Sequence, residues 1–245
     1  MLDSNDPEPS IRTLLQRGDV SVVFQPIVDL KTMEVFAYET LARSRSFASP
    51  IRLVQAAVQE GMMGELGRRI RELAVAGCPE FPVFVNVDPN ELDQPWLVRT
   101  DDPIFDHEPG CHVEITESVP LSHHGQCHGV LNEIRGRGVR LAVDDLGAGY
   151  SNLKYIADLA PEIVKLDLDL TRGLHKDMRR MVLVAAIVTL CDQLDASVVA
   201  EGIETAEDLR AVKAAGVRYG QGYYLARPAA VLPTIDTAGL LADVR

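Results

Sequence analysis

Basic side chains are scarce in this sequence. Lys and Arg together number 24 against 36 Asp and Glu, which leaves a formal net charge of −12 over 245 residues. A protein that binds a nucleic-acid duplex needs positive charge to neutralise the phosphates, so the composition argues against a DNA or RNA duplex as partner. The excess of carboxylates fits a solvated face together with a cation site.

Cysteines are few, and long apolar runs are missing. The four cysteines show no C-x-x-C spacing and no disulfide framework, so we interpret them as reduced core thiols of a cytoplasmic protein. The longest apolar stretch, 181–191, is only about half as long as a membrane span. Residues 1–10 are acidic and contain proline, unlike a secretory leader. We therefore expect a cytoplasmic location and no membrane span.

The length fits one large domain. A chain of 245 residues with 47% hydrophobic content can bury a full core and falls in the size range of a single α/β barrel. We expect a flexible acidic N-terminal tail and lead-in at residues 1–18, followed by the barrel domain at 19–245.

Strand-like and helix-like segments alternate along the chain, which is typical of a parallel sheet with crossover helices. Eight segments have strand character, enough for a closed barrel: 20–30, 35–43, 83–87, 112–115, 141–143, 163–168, 198–200 and 219–225. Helical spacing occurs at 50–77, with a break near 61–64, and at 90–98, 125–135, 151–158, 174–194 and 206–215.

Polar residues recur where these strands end. In a (β/α)8 barrel the C-terminal ends of the strands converge on one face, so such residues would meet in one cluster. Each alone could be a helix cap or a surface carboxylate, but chance does not readily place one at so many strand ends. They are Glu39, Asn86, Glu114, Glu117, Asp144, Asp145 and Glu201. Alternation within 163–168 also places Lys165, Asp167 and Asp169 on one face.

The pair Asp144 and Asp145 is the sharpest chemical feature. Two adjacent like charges at the end of an apolar run are costly to desolvate without a cation or hydrogen-bond donors. An isolated pair of this kind more often caps the next helix, but the other strand-end acids favour a metal. Carboxylate and amide oxygens, with no His or Cys at the strand ends, suit Mg²⁺ or Mn²⁺ better than Zn²⁺ or copper. A cluster with this many acids can bind two cations. Sites with two metal ions commonly catalyse in-line displacement at a phosphorus atom. We therefore predict that the protein hydrolyses a phosphodiester.

Eight segments form a further pattern: FQPIV (24–28), YETLAR (38–43), NVDP (86–89), EITE (114–117), DDLGAGYSNL (144–153), KLD (165–167), AEGIET (200–205) and GQGYYLARP (220–228). In order and spacing they resemble the motifs of the EAL-domain cyclic di-GMP phosphodiesterases. The resemblance implies a modified TIM (β/α)8 barrel with one antiparallel strand. It also implies hydrolysis of cyclic di-GMP to linear pGpG with two Mg²⁺ or Mn²⁺ ions per site.

Matched position by position, the resemblance implies a role for each residue. Glu39, Asn86, Glu114 and Asp144 match ligands of a first metal, and Asp145 completes a second metal with Asp144. Lys165 and Glu201 match the residues that hold and deprotonate the attacking water, and Asp167 matches an acid that supports the metal site. Glu117 matches the glutamate that positions the loop after the aspartate pair. Gln25, Leu41, Arg43, Glu204 and Gln221 match positions that contact substrate or support the site.

The sequence departs from the family pattern next to the aspartate pair. Leu146 and Ala148 stand where the family has Phe and Thr, which affects the expected rate more than the expected binding. A catalytically weak or silent receptor, which binds cyclic di-GMP and signals to a protein partner, therefore stays open as the alternative. Hydrolysis is favoured because no metal ligand is lost, and the adjacent aspartates argue against a Mg²⁺-dependent lyase. A homodimer and a regulatory protein partner are further expectations.

Overall fold

The computed structural model describes residues 8–92, 96–116, 124–147 and 153–243. Eight strands close into a barrel in chain order. They are β1 (Val20–Asp29), β2 (Glu34–Ser44), β3 (Val83–Asn86), β4 (Cys111–Thr116), β5 (Arg140–Leu146), β6 (Ile163–Leu166), β7 (Ser197–Ala200) and β8 (Tyr219–Gly220). The helices are α1 (Ile11–Arg17), α2 (Pro50–Gln59), α3 (Met63–Gly77), α4 (Pro89–Leu92), α5 (His124–Gly136), α6 (Lys154–Leu159), α7 (Leu168–Thr171), α8 (Met178–Gln193), α9 (Ala206–Ala214) and α10 (Thr237–Asp243). Short 3-10 helices lie at Pro103–Phe105 and Leu174–Lys176.

Strand β1 runs against the direction of the rest of the barrel. It is antiparallel to β2, where Gln25 pairs with Glu39, and to β8, where Val28 pairs with Gly220. The other neighbouring pairs are parallel. Antiparallel strands can be joined by a tight turn, which explains why β1 and β2 need no helix between them. The prediction of a modified TIM barrel with one antiparallel strand is confirmed.

The interior of the barrel is filled in layers. One buried apolar cluster closes its floor, formed by Ile27, Ala37, Phe84, Ala142, Ile163, Val199 and Tyr219. The His112 ring stacks on Phe84 with centroids 4.1 Å apart, and burial lowers the pKa of His112 to about 3, so this imidazole is neutral. Side chains two positions apart on a strand share a face. The strand-end polar residues therefore form the next layer, directly above this buried cluster.

Outward-facing strand residues pack beneath the helices. Val164 and Leu166 of β6, for example, share one buried cluster with Val184 and Ile187 of α8. Each fully buried aliphatic side chain of this kind contributes about 1.5–3 kcal/mol. This packing fixes the strands whose ends carry the polar layer. No helix in the described part of the chain is both long and apolar enough to cross a membrane.

The lead-in part of the expected tail and lead-in at 1–18 contains a helix. Within it, α1 begins after Ser10, whose hydroxyl accepts a hydrogen bond from the Thr13 backbone N–H. Ile11 and Leu14 are fully buried and join a cluster with Leu53 of α2. Residues 11–17 are therefore a packed helix, because two apolar side chains on one helix face are removed from water.

Strand β6 ends at Leu166, earlier than the predicted 163–168. Asp167 instead caps α7, where its carboxylate accepts a hydrogen bond of 2.8 Å from the Asp169 backbone N–H. Asp169 is exposed on that helix. The expectation that both acids share the inward face of Lys165 is wrong, because the alternation ends with the strand.

Three other elements are shorter than predicted. The helix expected at 174–194 is interrupted by Asp177, whose side chain caps α8 by accepting from the backbone N–H groups of Arg179 and Arg180. The last strand covers Tyr219–Gly220 rather than 219–225, and residues 96–98 form a turn rather than the end of the helix predicted at 90–98. In each case a local cap or turn replaces the regular element that the hydrophobic pattern favoured.

Candidate active site

Lys165 lies at the centre of the polar layer, and its side chain is fully buried. Its Nζ is 2.7 Å from Glu114 Oε1, 2.7 Å from Glu201 Oε1, 3.2 Å from Asp144 Oδ1 and 3.6 Å from Glu39 Oε2. Burial by itself would lower the pKa of Lys165, but the surrounding carboxylates outweigh it and hold that pKa well above its usual value. Lys165 is therefore a fixed positive charge and not a base.

One ammonium group does not neutralise four carboxylates. Although the atoms approach closely, Lys165 Nζ, Glu114 Oε1 and Asp144 Oδ1 have no aligned hydrogen-bond partner among the described residues. Burial raises the pKa of Glu114 well above its ordinary value, against the opposing effect of Lys165. Burial also raises the pKa of Glu201 to about 8. Buried negative charge with oxygens left without directed partners is an environment that a divalent cation would stabilise.

Asp144 and Asp145 both reach the mouth of the barrel because the backbone turns between them. Neighbours on a regular strand would point to opposite faces. Here the β5–β6 register shifts between Val143 and Leu146, and Asp145 adopts a φ of +62°, in the left-handed region that Asp tolerates better than most residues. One oxygen each from Asp144, Asp145 and Glu201 consequently lie within 4.8 Å of one another. This triplet is close enough to hold a metal ion.

Two amides fix the opposite side of the site. Asn86 Nδ2 donates to Glu114 Oε2 at 3.0 Å and to Glu39 Oε1 at 3.4 Å. Gln221 Nε2 donates to Glu39 Oε2 at 2.5 Å and to Gln25 Oε1 at 3.1 Å. Glu39 is thus held from both carboxylate oxygens, which sets its orientation towards Lys165.

An open pocket of about 380 Å³ lies over this layer. The predicted residues that line it are Gln25, Glu39, Leu41, Asp144, Asp145, Glu201, Glu204 and Gln221. Leu168, Gly202, Gly222 and Tyr223 line it too, and none of these four is among the predicted site residues. Tyr223 is 52% exposed, and the Arg227 guanidinium lies 4.3 Å from its ring centroid. In the sequence, Tyr223 could have been assigned to the site from its position two residues after Gln221, which was predicted to belong to it.

The remaining predicted site residues have other partners or lie outside the described part of the chain. The Arg43 guanidinium donates to the Ala42 carbonyl at 2.8 Å, and Arg43 does not line the pocket. Glu204 lines the pocket but is paired with Arg172. Asp167 serves as the cap of α7. Glu117 lies outside the described residues, as does the loop position Ala148.

Fold and site together define a mixed eight-stranded barrel with an acid-rich, lysine-centred mouth. The sequence model of the EAL domain matches residues 8–228, and the chain belongs to this family. It is 32% identical to the cyclic di-GMP phosphodiesterase PA2567 of Pseudomonas aeruginosa, over 84% of this chain and 38% of that protein. It is 31% identical to the uncharacterized protein y4lL of Sinorhizobium fredii, over 95% of this chain and 29% of that protein. The chain therefore spans well under half the length of these relatives.

Solved structures agree with this assignment. The complex of Klebsiella pneumoniae BlrP1 with calcium and cyclic di-GMP superposes with a TM-score of 0.80 at 28% identity, covering 89% of this chain and 58% of that one. BlrP1 has also been solved with manganese and cyclic di-GMP. The cyclic di-GMP-bound form of a standalone EAL protein from Vibrio cholerae has a TM-score of 0.74 at 29% identity, covering 90% of this chain and 98% of that one. The family resemblance read from the motifs is confirmed.

Proposed function

We propose that this chain is a phosphodiesterase that hydrolyses cyclic di-GMP to linear pGpG with two Mg²⁺ or Mn²⁺ ions per site. The observation that carries the proposal is the convergence of Asp144, Asp145 and Glu201 within 4.8 Å, beside the buried Lys165. The pocket above them is open to a ligand. Cyclic di-GMP is the proposed ligand because the BlrP1 and Vibrio cholerae proteins bind it.

The donor set fits divalent ions. Glu39, Asn86, Glu114 and Asp144 would hold one ion, and Asp145 together with Asp144 would hold the second, all through the hard oxygen ligands that Mg²⁺ and Mn²⁺ prefer. Bound ions of this kind lower the pKa of water and neutralise charge on a phosphodiester.

The side chains of the protein then have separate tasks. Glu201 accepts a proton from the attacking water on Oε2, since its Oε1 faces Lys165. The pKa of about 8 that burial gives Glu201 falls towards the working range of a base when positive charge is added nearby. Lys165 holds the Glu201 carboxylate in place through the contact of 2.7 Å between its Nζ and Glu201 Oε1.

The test is chromatography of cyclic di-GMP after incubation with the protein. We expect linear pGpG with Mg²⁺ or Mn²⁺, and binding with little turnover in Ca²⁺, because the larger ion tolerates looser geometry and misplaces the water. Tight binding without product in Mg²⁺ and in Mn²⁺ would instead favour the receptor alternative. A homodimer, a regulatory protein partner and a cytoplasmic location stay predictions from the sequence.

A further inference from the structure

The loop that follows β7 carries two residues of the site but no regular secondary structure. Residues 201–205 include Glu201 and Glu204, and Gly202 within them has a φ of +66°. Two backbone N–H groups of the loop have main-chain acceptors: Glu201 N donates to Leu166 O of β6 at 3.1 Å, and Ile203 N donates to Gln221 O, just after β8, at 3.1 Å. The carbonyl of Glu201 needs a different partner.

Thr171, the last residue of α7, supplies that partner. Its side chain is 1% exposed, and its Oγ1 donates a hydrogen bond to the main-chain oxygen of Glu201. A threonine hydroxyl has one proton to donate. The longer contact of 3.4 Å to the Leu168 carbonyl is therefore secondary. Without the hydroxyl, the part-buried main-chain carbonyl of Glu201 would lose this donor, which is unfavourable.

Helix α7 also packs directly on the loop. A Cβ placed on Gly202 would lie 2.6 Å from Leu168 Cβ and 3.6 Å from Thr171 Oγ1, so there is no space for a side chain between the two segments. The close approach requires glycine both for space and for its positive φ. The main chain of this loop therefore packs directly against α7.

The contact continues on the far side of the loop. Arg172 forms an ion pair with Glu204. The buried Asp208 accepts hydrogen bonds from Gly173 N at 2.9 Å and from Thr205 Oγ1 at 2.8 Å. The segment after β6 therefore holds the loop after β7 at both of its ends.

We propose that Thr171 is a positioning residue for Glu201. Its hydroxyl fixes the main chain at Glu201 and so places the carboxylate beside Lys165. Lys165 and Thr171 lie on one short segment, 165–171, so the same piece of chain contacts both the side chain and the backbone of Glu201. The kinetic consequence rests on the proposed phosphodiesterase function, whereas the structural consequence does not.

The kinetic test compares three substitutions. Thr171→Val removes the hydroxyl at similar volume, Thr171→Ser retains it, and Thr189→Val removes a matched hydroxyl that donates to the Ala185 carbonyl at 2.9 Å on the exposed side of α8. We expect Thr171→Val to lower kcat for cyclic di-GMP by at least about tenfold with KM within about threefold, because a displaced base acts in the transition state. Thr171→Ser and Thr189→Val should stay within about threefold of the unchanged protein in kcat. An unchanged kcat in Thr171→Val, or an equal loss in Thr171→Ser, would overturn the proposal.

Hydrogen exchange of the peptide that contains 201–205 gives a readout independent of activity. Thr171→Val should accelerate exchange of the Glu201 and Ile203 amides by at least about tenfold, because the loop opens more often, whereas Thr171→Ser should not. If Thr171→Val does not fold, Thr171→Ala serves in its place. A protein without turnover in Mg²⁺ or Mn²⁺ would refute the proposed function alone. Unchanged exchange in the variant that lacks the hydroxyl would refute the positioning role whatever the activity.

Discussion

Lys165 Nζ lies 2.7 Å from Glu201 Oε1; Lys165 is the penultimate residue of β6, and Glu201 is the first residue after β7. This contact joins a lysine that is fully buried to a glutamate that lines the open pocket. The two side chains differ in their surroundings, since Lys165 is buried among carboxylates and Glu201 lines the open pocket. The predictions below test the site and its surroundings.

Glu201→Gln keeps the shape of the side chain and removes its ability to accept a proton. We expect turnover of cyclic di-GMP to fall by at least about 100-fold, because a general base acts mainly in the transition state. Affinity in Ca²⁺, measured by calorimetry, should stay within about tenfold. The control is Glu207→Gln, an exposed glutamate of α9 that pairs with Arg210 at 3.0 Å. Losses of similar size in turnover and in affinity would contradict the assignment of Glu201 as base.

Asp145→Asn tests the second metal position without disturbing the backbone, since Asn also tolerates a positive φ. We expect the Mn²⁺ concentration for half-maximal binding to rise at least about tenfold, because a charged oxygen ligand is lost. The thermal midpoint should change little. Asp145→Ala should lose the same metal affinity and, in addition, about 1 kcal/mol of stability from the strained conformation. An unchanged Mn²⁺ titration in both variants, with Asp192→Asn as surface control, would remove Asp145 from the site.

The buried cluster of Arg71, Glu91 and Asp102 predicts a pH dependence of stability. Arg71 is shared between Asp102, at 2.9 Å, and Glu91, at 2.6 Å, and all three side chains are at most 1% exposed. Burial raises the pKa of Glu91 from 4.5 to about 7, against the opposing effect of Arg71. Because the folded pKa is the higher one, the stability that protonated Glu91 contributes is complete below 4.5 and is lost as the pH rises through about 7.

Glu91→Gln removes this titration while keeping the volume. Between about pH 5 and about pH 8 the free energy of unfolding of the natural protein should fall relative to that of Glu91→Gln, by on the order of 3 kcal/mol. Urea unfolding at several pH values measures the difference, and Glu207→Gln again serves as the exposed control. A difference that stays constant across this range would mean that Glu91 is ionised throughout.

Tyr223 is expected to contribute an aromatic surface to ligand binding. Its ring lines the pocket at 52% exposure and lies 4.3 Å from the Arg227 guanidinium, so one ring face is available beside the acidic residues of the site. Stacking of a nucleobase on an aromatic ring contributes about 1–3 kcal/mol, so Tyr223→Ala should weaken cyclic di-GMP binding in Ca²⁺ by about tenfold or more. Tyr223→Phe should retain most of the affinity. Val231→Ala, at a site 81% exposed and outside the pocket lining, is the matched control. Equal affinity of Tyr223→Ala and the unchanged protein would exclude stacking.

The barrel and most of its polar layer could be predicted from local patterns. A strand places every second side chain on the same face, so Ala37 with Glu39 and Ile163 with Lys165 already indicate a floor and a polar layer. The order of the strands along the chain then requires that these layers meet when the barrel closes. For this reason the convergence of strand-end acids was visible before the structure, whereas the antiparallel strand was expected only from the resemblance to the EAL family.

Other features depend on where a regular element stops, and the sequence did not indicate that. Asp145 reaches the mouth only because the β5–β6 register shifts there and because Asp145 itself has a positive φ, which breaks the alternation after Asp144. Asp167 leaves the inward face because β6 ends one residue before it. The excess of buried negative charge around Lys165 likewise arises from side chains that are distant in sequence. Strand periodicity is a local steric property that residue types reveal directly. Chain reversals, burial and the pKa values that follow from it depend on the sum of many nonlocal contacts, so only the tertiary structure decided them.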